Sequence, residues 1–351
     1  MAQFTIHNIR IKGMAAAVPK KEVSNWDYNW IPKKDRASII KNIGVEKKRV
    51  AEKGTTTSDL CFAATEKLLD ELGWERNEIQ ALVFVTQSGD YIIPATSTIM
   101  QDRLGLPHTC MALDINLGCS GYVYGLSVLG GLMSSGQIQK ALLLVGDLSN
   151  ITSSYRDKST YPLFGDSGTV TALEYDKNAP AIPFNLQTDG SGYKAIMIPD
   201  GGVRNLFSRK SLDIKKISDG IYRSRMHVVL DGIEVFNFSL REVVPNIKKT
   251  LAYANRSIDD FDYYIFHQAN RIINETLRKM MKLDKEKVPF TIHKFGNTSG
   301  ASLPLTIVSE LREKVQGGRL KLLLSAFGIG LSWGTAFIET DRIVCPEIVE
   351  I

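Results

Sequence analysis

The chain repeats one order of predicted elements, and this duplication constrains its fold more than any other feature. In each half, apolar runs of strand length alternate with amphipathic stretches of helical spacing. Phe84–Thr86 corresponds to Ile265–His267, and Leu143–Val145 corresponds to Leu323–Ser325, both at an offset of about 180 residues. Continuous apolar strands joined by helices are typical of buried, largely parallel sheets. We therefore predict a pseudo-two-fold α/β sandwich.

A polar region around residues 177–225 joins the two halves. It contains the turn signal Pro199–Gly202 and many lysines and arginines, so we expect it to form loop rather than core. The predicted division places residues 1–176 in an N-terminal half and residues 177–351 in a C-terminal half.

Composition excludes several classes of protein. The net charge of +5 over 351 residues is mild, and no basic run is dense enough to indicate nucleic-acid binding. The longest apolar stretch, Lys321–Ile338, is interrupted by serines and glycines, so we expect no membrane span. The four cysteines form no Cys-x-x-Cys pair, which favours reduced thiols in the cytoplasm over disulfides or a zinc site.

Cys119 lies where a predicted strand turns sharply into a predicted helix. It belongs to Gly118-Cys-Ser-Gly121, between the apolar run that begins at Met111 and a stretch rich in small residues that ends near Gly136. The N-terminus of a helix presents unpaired N–H groups and the positive end of the dipole, which favour thiolate over thiol. The sequence therefore predicts a nucleophilic thiol with a lowered pKa.

Two other polar residues lie at similar junctions in the C-terminal half. His267 follows the apolar run Tyr263–Phe266, and Asn297 lies in a loop bounded by glycine and serine. Alone, each is typical of a structural role, the histidine as a core residue and the asparagine as a turn or cap residue. Because ligand sites in α/β proteins collect where strands end, we expect both residues to lie near Cys119.

A Cys–His–Asn set is suited to thioester chemistry. The thiolate attacks a thioester carbonyl and holds the acyl group. A second thioester then loses carbon dioxide, and a histidine N–H and an asparagine NH₂ stabilise the enolate oxygen without a fixed cation. Acyl transfer also needs an oxyanion hole, for which the backbone N–H groups of Cys119 and Ile329 are the candidates.

With these motifs, the chain resembles a β-ketoacyl-acyl carrier protein synthase III of the thiolase-fold superfamily. The resemblance covers essentially the whole chain, and it is carried by Gly118–Gly121, Gly165–Gly168, Gly232–Phe236, His267–Asn270, Gly296–Ser299 and Ala326–Gly334. It implies an α/β, duplicated thiolase-like fold, with two pseudo-symmetric βαβαβ halves in a five-layer sandwich. It also implies fatty-acid or related acyl-chain biosynthesis, by decarboxylating condensation of an acyl thioester primer with malonyl-acyl carrier protein.

The resemblance assigns roles to individual residues. It implies Cys119 as the acyl-accepting nucleophile, with His267 and Asn297 for decarboxylation and enolate stabilisation. It implies substrate contacts from Ile92, Ile93, Phe236, Gly328 and Gly330. No metal or resident cofactor is implied, because acyl-coenzyme A and acyl carrier protein thioesters are the substrates. A homodimer is implied as well, with segment Asp90–Pro94 contributing a residue to the neighbour's acyl pocket.

The sequence departs from the family pattern near the primer site. Ser38 and Asn42 stand where family members that use acetyl-coenzyme A carry a tryptophan and an arginine. Ile272 replaces an arginine, Ile329 replaces a glycine, and Ile93 replaces an aromatic residue that many relatives have. These changes leave the chemistry intact and the primer open, so another acyl-coenzyme A or an acyl group on carrier protein is an alternative.

An acidic carrier protein requires a basic docking surface. The candidates on the predicted helix after His267 are Arg271, Arg278, Lys279 and Lys282. Their spacing predicts that Arg271, Arg278 and Lys282 share one helix face. An ordinary solvated face is the alternative interpretation.

Other functions compete with condensation. A related acyltransferase would keep the acyl-Cys119 intermediate and form an ester, amide or thioester without decarboxylation. A papain-like protease has Cys, His and Asn in the same chain order, but it requires a secreted, disulfide-bearing context. A non-catalytic subunit usually loses the nucleophile, and a thiolase needs a second cysteine, which Phe327–Gly330 lacks.

Overall fold

The computed structural model describes residues 2–351. In chain order, the strands are β1 (Ala2–Ile6), β2 (Ile9–Val18), β3 (Glu22–Ser24), β4 (Lys47–Arg49), β5 (Ala81–Val85), β6 (Met111–Ile115), β7 (Lys140–Leu148), β8 (Asp166–Tyr175), β9 (Ile182–Thr188), β10 (Ile196–Met197), β11 (Lys215–Ser218), β12 (Ile221–Arg223), β13 (Val229–Leu230), β14 (Tyr263–Phe266), β15 (Arg319–Gly328), β16 (Ser332–Asp341) and β17 (Val349–Glu350). The α-helices are α1 (Lys33–Ile43), α2 (Thr57–Leu72), α3 (Thr96–Arg103), α4 (Gly121–Met133), α5 (Gly232–Tyr253), α6 (Arg271–Met280), α7 (Ile292–Phe295) and α8 (Ser302–Gly317).

These elements stack in five layers. Helices α2 and α3 cover the outer face of a six-stranded sheet of order β17-β2-β8-β7-β5-β6. Helix α5, with α6 beside it, covers the outer face of a five-stranded sheet of order β1-β9-β16-β15-β14. Helices α4 and α8 lie between the sheets and contact strands of both. The predicted duplicated α/β fold in five layers is therefore confirmed.

Four strands of each sheet follow the same order and directions. The series β2-β8-β7-β5 corresponds to β9-β16-β15-β14, and in each the first two pairings are antiparallel and the last is parallel. The sheets are thus mixed, and the expectation of largely parallel sheets was wrong. The reason is that β15 turns into β16 through residues 329–331 alone, and so short a connection joins only antiparallel strands.

The joining region is not only loop. Strand β9 lies within residues 177–225, and its side chains Ile182, Phe184 and Leu186 are buried in the central layer. Polar residues and a proline alternate with them, which hid this strand among the turn signals of its neighbours. Strand β1 joins the second sheet and β17 joins the first, so each end of the chain pairs across the predicted division. That division at residue 176 stays a prediction.

The glycines of α4 let the central helix approach the first sheet closely. A Cβ atom at Gly121 or Gly125 would lie 2.6 or 2.7 Å from a methyl carbon of Val85 on β5. Side chains at these positions would push α4 away from the sheet, because packed interiors leave no room for added carbon atoms. The small residues after Cys119 therefore set the position of the turn that carries it.

No helix within residues 2–351 combines the length and the apolar character that crossing a membrane requires.

Candidate active site

Cys119, His267 and Asn297 line one cavity of about 770 Å³. Cys119 lies between the end of β6 and the start of α4, and His267 directly follows β14. Asn297 lies in the connection between α7 and α8. The three side chains are nearly fully buried. The fold thus brings together residues that are up to 178 positions apart in the sequence, at the end of the central layer where α4 and α8 begin.

Backbone N–H groups surround the sulfur of Cys119. The N–H groups of Ile329 and of Cys119 itself hydrogen-bond to Sγ, as does the Ser299 hydroxyl at 4.0 Å. These N–H groups lie beside the sulfur, so they are the candidate donors to an oxyanion formed when the sulfur attacks a carbonyl. Gly328 makes this approach possible, because its backbone runs directly against the Cys119 side chain.

The thiol is less acidic than the sequence predicts. Burial raises the pKa of Cys119 to about 11, and the three hydrogen bonds to Sγ offset this rise only in part. The buried carboxylate of Asp147 raises the pKa further. The position before α4 does not produce a lowered pKa here, because the sulfur is removed from water and has a negative group nearby. The thiol therefore needs a proton acceptor.

His267 is held as a neutral imidazole. Burial lowers its pKa to about 3, while a hydrogen bond to the Ser299 backbone acts weakly in the opposite direction. The Nδ1 atom lies 2.7 Å from the hydroxyl oxygen of Ser302 on α8. The ring packs against Phe327 in a T-shaped arrangement, with ring centroids 5.5 Å apart. A neutral ring carries a single N–H group, so it can act as one uncharged hydrogen-bond donor.

The backbone and side chain of Asn297 are both anchored. Its carbonyl accepts a hydrogen bond from the Gly165 N–H at 3.0 Å, and its Oδ1 accepts one from the Ser299 N–H at 2.9 Å. The Nδ2 atom donates to the Ala269 carbonyl at 3.3 Å. A Cβ atom at Gly165 would lie only 1.8 Å from the Phe295 carbonyl oxygen, so this position excludes any side chain. These bonds orient the amide with its NH₂ group as the donor.

Three residues of the site were missed in the sequence. Ser299 and Ser302 contact the predicted residues, and Asp147 lines the cavity beside Cys119. Asp147 follows the apolar run of β7, so it carried the same strand-end signal as His267. The two serines follow Asn297 in a loop that looked like an ordinary helix start.

Only some of the predicted substrate contacts line the cavity. Ile92 and Gly328 line the cavity, whereas Ile93, Phe236 and Gly330 lie outside its lining. Phe236 packs instead against the core cluster beneath α5. Segment Asp90–Pro94 carries two highly exposed side chains, with Ile92 96 % and Ile93 83 % exposed. A substrate role for all five residues stays a prediction.

The predicted basic residues lie on or just beyond α6. The side chain of Arg271 packs against Gly44, which directly follows α1. Lys279 is exposed. Arg278 is bound to Glu275 and to the Leu283 carbonyl. The helix ends at Met280, so the exposed Lys282 lies beyond it and does not share its face as predicted. Asn270 and Ile273, at the start of α6, line the cavity, which places this helix at its edge.

The departures near the primer site have different surroundings. Ser38 and Asn42 are exposed on α1, one helical turn apart. Ile329 lines the cavity and packs against the core cluster beneath α5, so its side chain takes up space that glycine leaves open. Within the described part of the chain, no group of three or more His, Cys, Asp or Glu side chains is arranged to hold a metal ion.

Known proteins match this chain in sequence and in fold. A family model described as 3-oxoacyl-[acyl-carrier-protein (ACP)] synthase III matches residues 113–190, and the model for its C-terminal part matches residues 251–340. A β-ketoacyl-[acyl-carrier-protein] synthase III from Syntrophomonas wolfei subsp. wolfei is 32% identical over 337 residues, covering 95% of this chain and 98% of that protein.

Solved structures extend this match to three dimensions. The crystal structure of a 3-oxoacyl-(acyl-carrier protein) synthase from Burkholderia xenovorans LB400 has a TM-score of 0.94 at 37% identity and covers 99% of both chains. That of a 3-oxoacyl-(acyl carrier protein) synthase III from Pseudomonas aeruginosa PAO1 has a TM-score of 0.84 at 27% identity, covering 96% of this chain and 100% of that one. The chain therefore belongs to the β-ketoacyl-[acyl-carrier-protein] synthase III family, and it is an acyltransferase.

Proposed function

We propose that the chain condenses an acyl thioester primer with malonyl-acyl carrier protein, through an acyl-Cys119 intermediate, to give 3-oxoacyl-acyl carrier protein and carbon dioxide. One observation carries the proposal: a buried thiol, a neutral imidazole and an oriented amide line the same cavity. These groups match the two halves of the reaction, acyl transfer and decarboxylation.

In the first half, the sulfur of Cys119 attacks the primer carbonyl. The N–H groups of Cys119 and Ile329, which hydrogen-bond to Sγ in the free protein, hold the oxyanion that forms. The carbon–sulfur bond of the donor then breaks, and the acyl group stays on Cys119.

In the second half, the malonyl group loses carbon dioxide and leaves an enolate. The electron pair of the broken carbon–carbon bond moves onto the thioester oxygen, which accepts hydrogen bonds from His267 and Asn297. Because Ser302 holds Nδ1 of His267, the other ring nitrogen is the one that donates to the enolate. The enolate carbon then attacks the acyl group and releases the thiolate of Cys119. No step requires a resident cofactor.

Mass spectrometry tests this mechanism. Incubation with an acyl-coenzyme A should add one acyl mass, and Cys119→Ala should abolish the adduct. Cys110→Ala is the matched control, because Cys110 is also a buried free thiol whose pKa burial raises to about 11. Adding malonyl-acyl carrier protein should consume the adduct and release carbon dioxide. Persistence of the adduct, with an ester, amide or thioester formed from other acceptors, would favour the acyltransferase without decarboxylation.

We infer that the primer is longer than acetyl. Ser38 and Asn42 provide no ring or cation for a nucleotide, so donor binding must depend more on the acyl chain. Apolar side chains line much of the cavity, among them Leu163, Met226 and Val228. Each buried methylene contributes about 0.8 kcal/mol, or about fourfold in affinity. Labelling rates across a donor series should rise with chain length, and fastest labelling by acetyl-coenzyme A would contradict the inference.

We propose that the carrier protein docks at the start and end of α6. This helix borders the cavity and exposes Arg271, Lys279 and, just beyond its end, Lys282. Lys279→Glu combined with Lys282→Glu should raise KM for malonyl-acyl carrier protein and leave acylation by coenzyme A donors unchanged. Lys248→Glu, an exposed lysine on α5, is the matched control for a general change of charge.

We also propose a homodimer in the cytoplasm. Strand β6 is an edge of the first sheet, and its Met111 and Leu113 are 38 % and 40 % exposed. An apolar edge strand is a site for pairing with a second copy. Light scattering should give twice the chain mass, and Leu113→Lys should give the monomer.

The cytoplasmic location is supported by the four free thiols, which favour a reducing compartment.

A further inference from the structure

Ser299 contacts every member of the Cys–His–Asn set. Its hydroxyl lies 4.0 Å from the sulfur of Cys119, its N–H binds Oδ1 of Asn297, and its backbone hydrogen-bonds to His267. Ser299 adopts a left-handed backbone conformation with φ 53°, which is costly for a residue with a side chain. The fold thus tolerates strain at the residue that lies between the catalytic groups.

The same hydroxyl leads to a buried carboxylate. Ser299 and Asp147 line the same cavity, and the Ser299 hydroxyl acts on Asp147 as a hydrogen-bond donor that lowers its pKa. Asp147 lies near the end of β7 and is 4 % exposed. The backbone N–H of Gln87 also donates to Asp147 at 2.7 Å, and the hydroxyl of Thr86 donates at 3.2 Å. These donors stabilise a negative charge beside a cavity that has a thiol but no assigned base.

Asp147 is a stronger base than His267 in this cavity. Burial raises the pKa of Asp147 to about 6, whereas burial lowers that of His267 to about 3. The titratable groups that face Asp147 are the thiols of Cys119 and of Cys61 on α2, whose pKa values its charge raises. Asp90 acts on Cys61 from the loop after β5. At neutral pH, Asp147 is therefore ionised and able to accept a proton.

We propose that Ser299 and Asp147 form a proton relay that activates Cys119. As Sγ attacks the thioester carbonyl, its S–H bond breaks and the proton passes to the Ser299 oxygen, while the Ser299 proton passes to Asp147. The carbonyl π electrons move to the oxyanion, which collapses and expels the donor thiolate, and water protonates this thiolate. When condensation releases the Cys119 thiolate, Asp147 returns its proton through Ser299. The overall reaction then consumes one solvent proton, as decarboxylation of a malonate requires.

The inference rests on the proposed function, and the pH dependence of Cys119 acylation tests it. In the unmodified protein, the acylation rate should rise with pH through about 6 as Asp147 ionises. Asp147→Asn should abolish this rise and slow acylation at neutral pH by about 100-fold. If Asp147 acted only through its charge, Asp147→Asn would speed acylation, because removing the negative charge lowers the pKa of Cys119.

Ser299→Gly provides a second, independent variant. Glycine adopts positive φ without strain, so this change removes the hydroxyl and preserves the backbone. It should also abolish the rise near pH 6. Asp166→Asn is the matched control, because Asp166 is a buried carboxylate with a raised pKa that lies outside the cavity lining. This control should keep the rise.

Each outcome decides the proposal. Unchanged or faster acylation in Asp147→Asn, or a wild-type rate with no rise near pH 6, overturns the relay. If circular dichroism shows that Asp147→Asn does not fold, Ser299→Gly decides the question. Failure of the proposed condensation is a separate result, in which the unmodified protein gains the acyl mass but makes no 3-oxoacyl product.

Discussion

A Cβ atom at Gly328 would lie 2.5 Å from Cβ of Cys119 and 2.8 Å from its sulfur. Such contacts are too short to exist, so a side chain at residue 328 must displace either the Cys119 side chain or the end of β15 that precedes Ile329. Gly328 also has φ 157°, a backbone conformation that residues other than glycine rarely adopt. The backbone of β15 and the thiol therefore determine each other's position.

We accordingly predict that Gly328→Ala lowers the rate of Cys119 acylation by at least about 100-fold, the usual effect of losing one oxyanion donor. Gly317→Ala is the control, because a Cβ atom there meets nothing within 4 Å. Acyl-adduct formation measured by mass spectrometry compares the two. Normal labelling in Gly328→Ala would show that the tight contact relaxes without cost.

Asn297→Asp should separate the two halves of the reaction. The carboxylate cannot donate to an enolate oxygen and repels its charge, so decarboxylation of the malonyl thioester should fall by about 100- to 1,000-fold. Acylation of Cys119 should continue, because the oxyanion donors that we propose for it are backbone groups. Carbon dioxide release and acyl-adduct mass measure the two steps. Equal loss of both would assign Asn297 a general structural role.

Ser302→Ala should loosen His267 without removing it. The hydroxyl lies 2.7 Å from Nδ1 and helps fix the ring orientation, so we expect decarboxylation to slow by about 10-fold, the lower end of the effect of losing a partner that orients a metal-binding histidine. KM for the malonyl substrate should change little. Ser309→Ala, a half-buried serine elsewhere on α8, controls for loss of a hydroxyl on the same helix. An effect on KM alone would place Ser302 in substrate binding.

The pH dependence of decarboxylation should show no histidine titration. Because burial lowers the pKa of His267 to about 3, the ring stays neutral from about pH 5 to pH 8. Folding favours the neutral ring, so His267 stabilises the fold above the ordinary histidine pKa and this contribution is lost as pH falls toward 3. Decarboxylation by Cys119→Ala, which cannot form the acyl intermediate, gives the profile. A change in the decarboxylation rate near pH 6.5 that disappears in His267→Gln would contradict the prediction.

Local sequence rules predicted much of the fold and brought three residues into one hypothesis. The alternation of apolar strands with helices was enough for the duplicated sandwich, because each pattern reflects which face a residue buries. Strand β9 escaped prediction, since polar residues and Pro183 alternate with its buried side chains. The direction of β8 and β16 was also missed, because strand pairing depends on the connections and not on the strands themselves.

The sequence by itself determined where the proposed catalytic side chains lie along the chain: a thiol before a helix, a histidine after a strand and an asparagine in a glycine-bounded loop. Only the tertiary structure decided their chemical state. The pKa values of Cys119, Asp147 and His267 depend on removal from water and on partners far away in sequence, which no local pattern contains. The same packing makes the thiol a weak acid and places a serine and a carboxylate beside it.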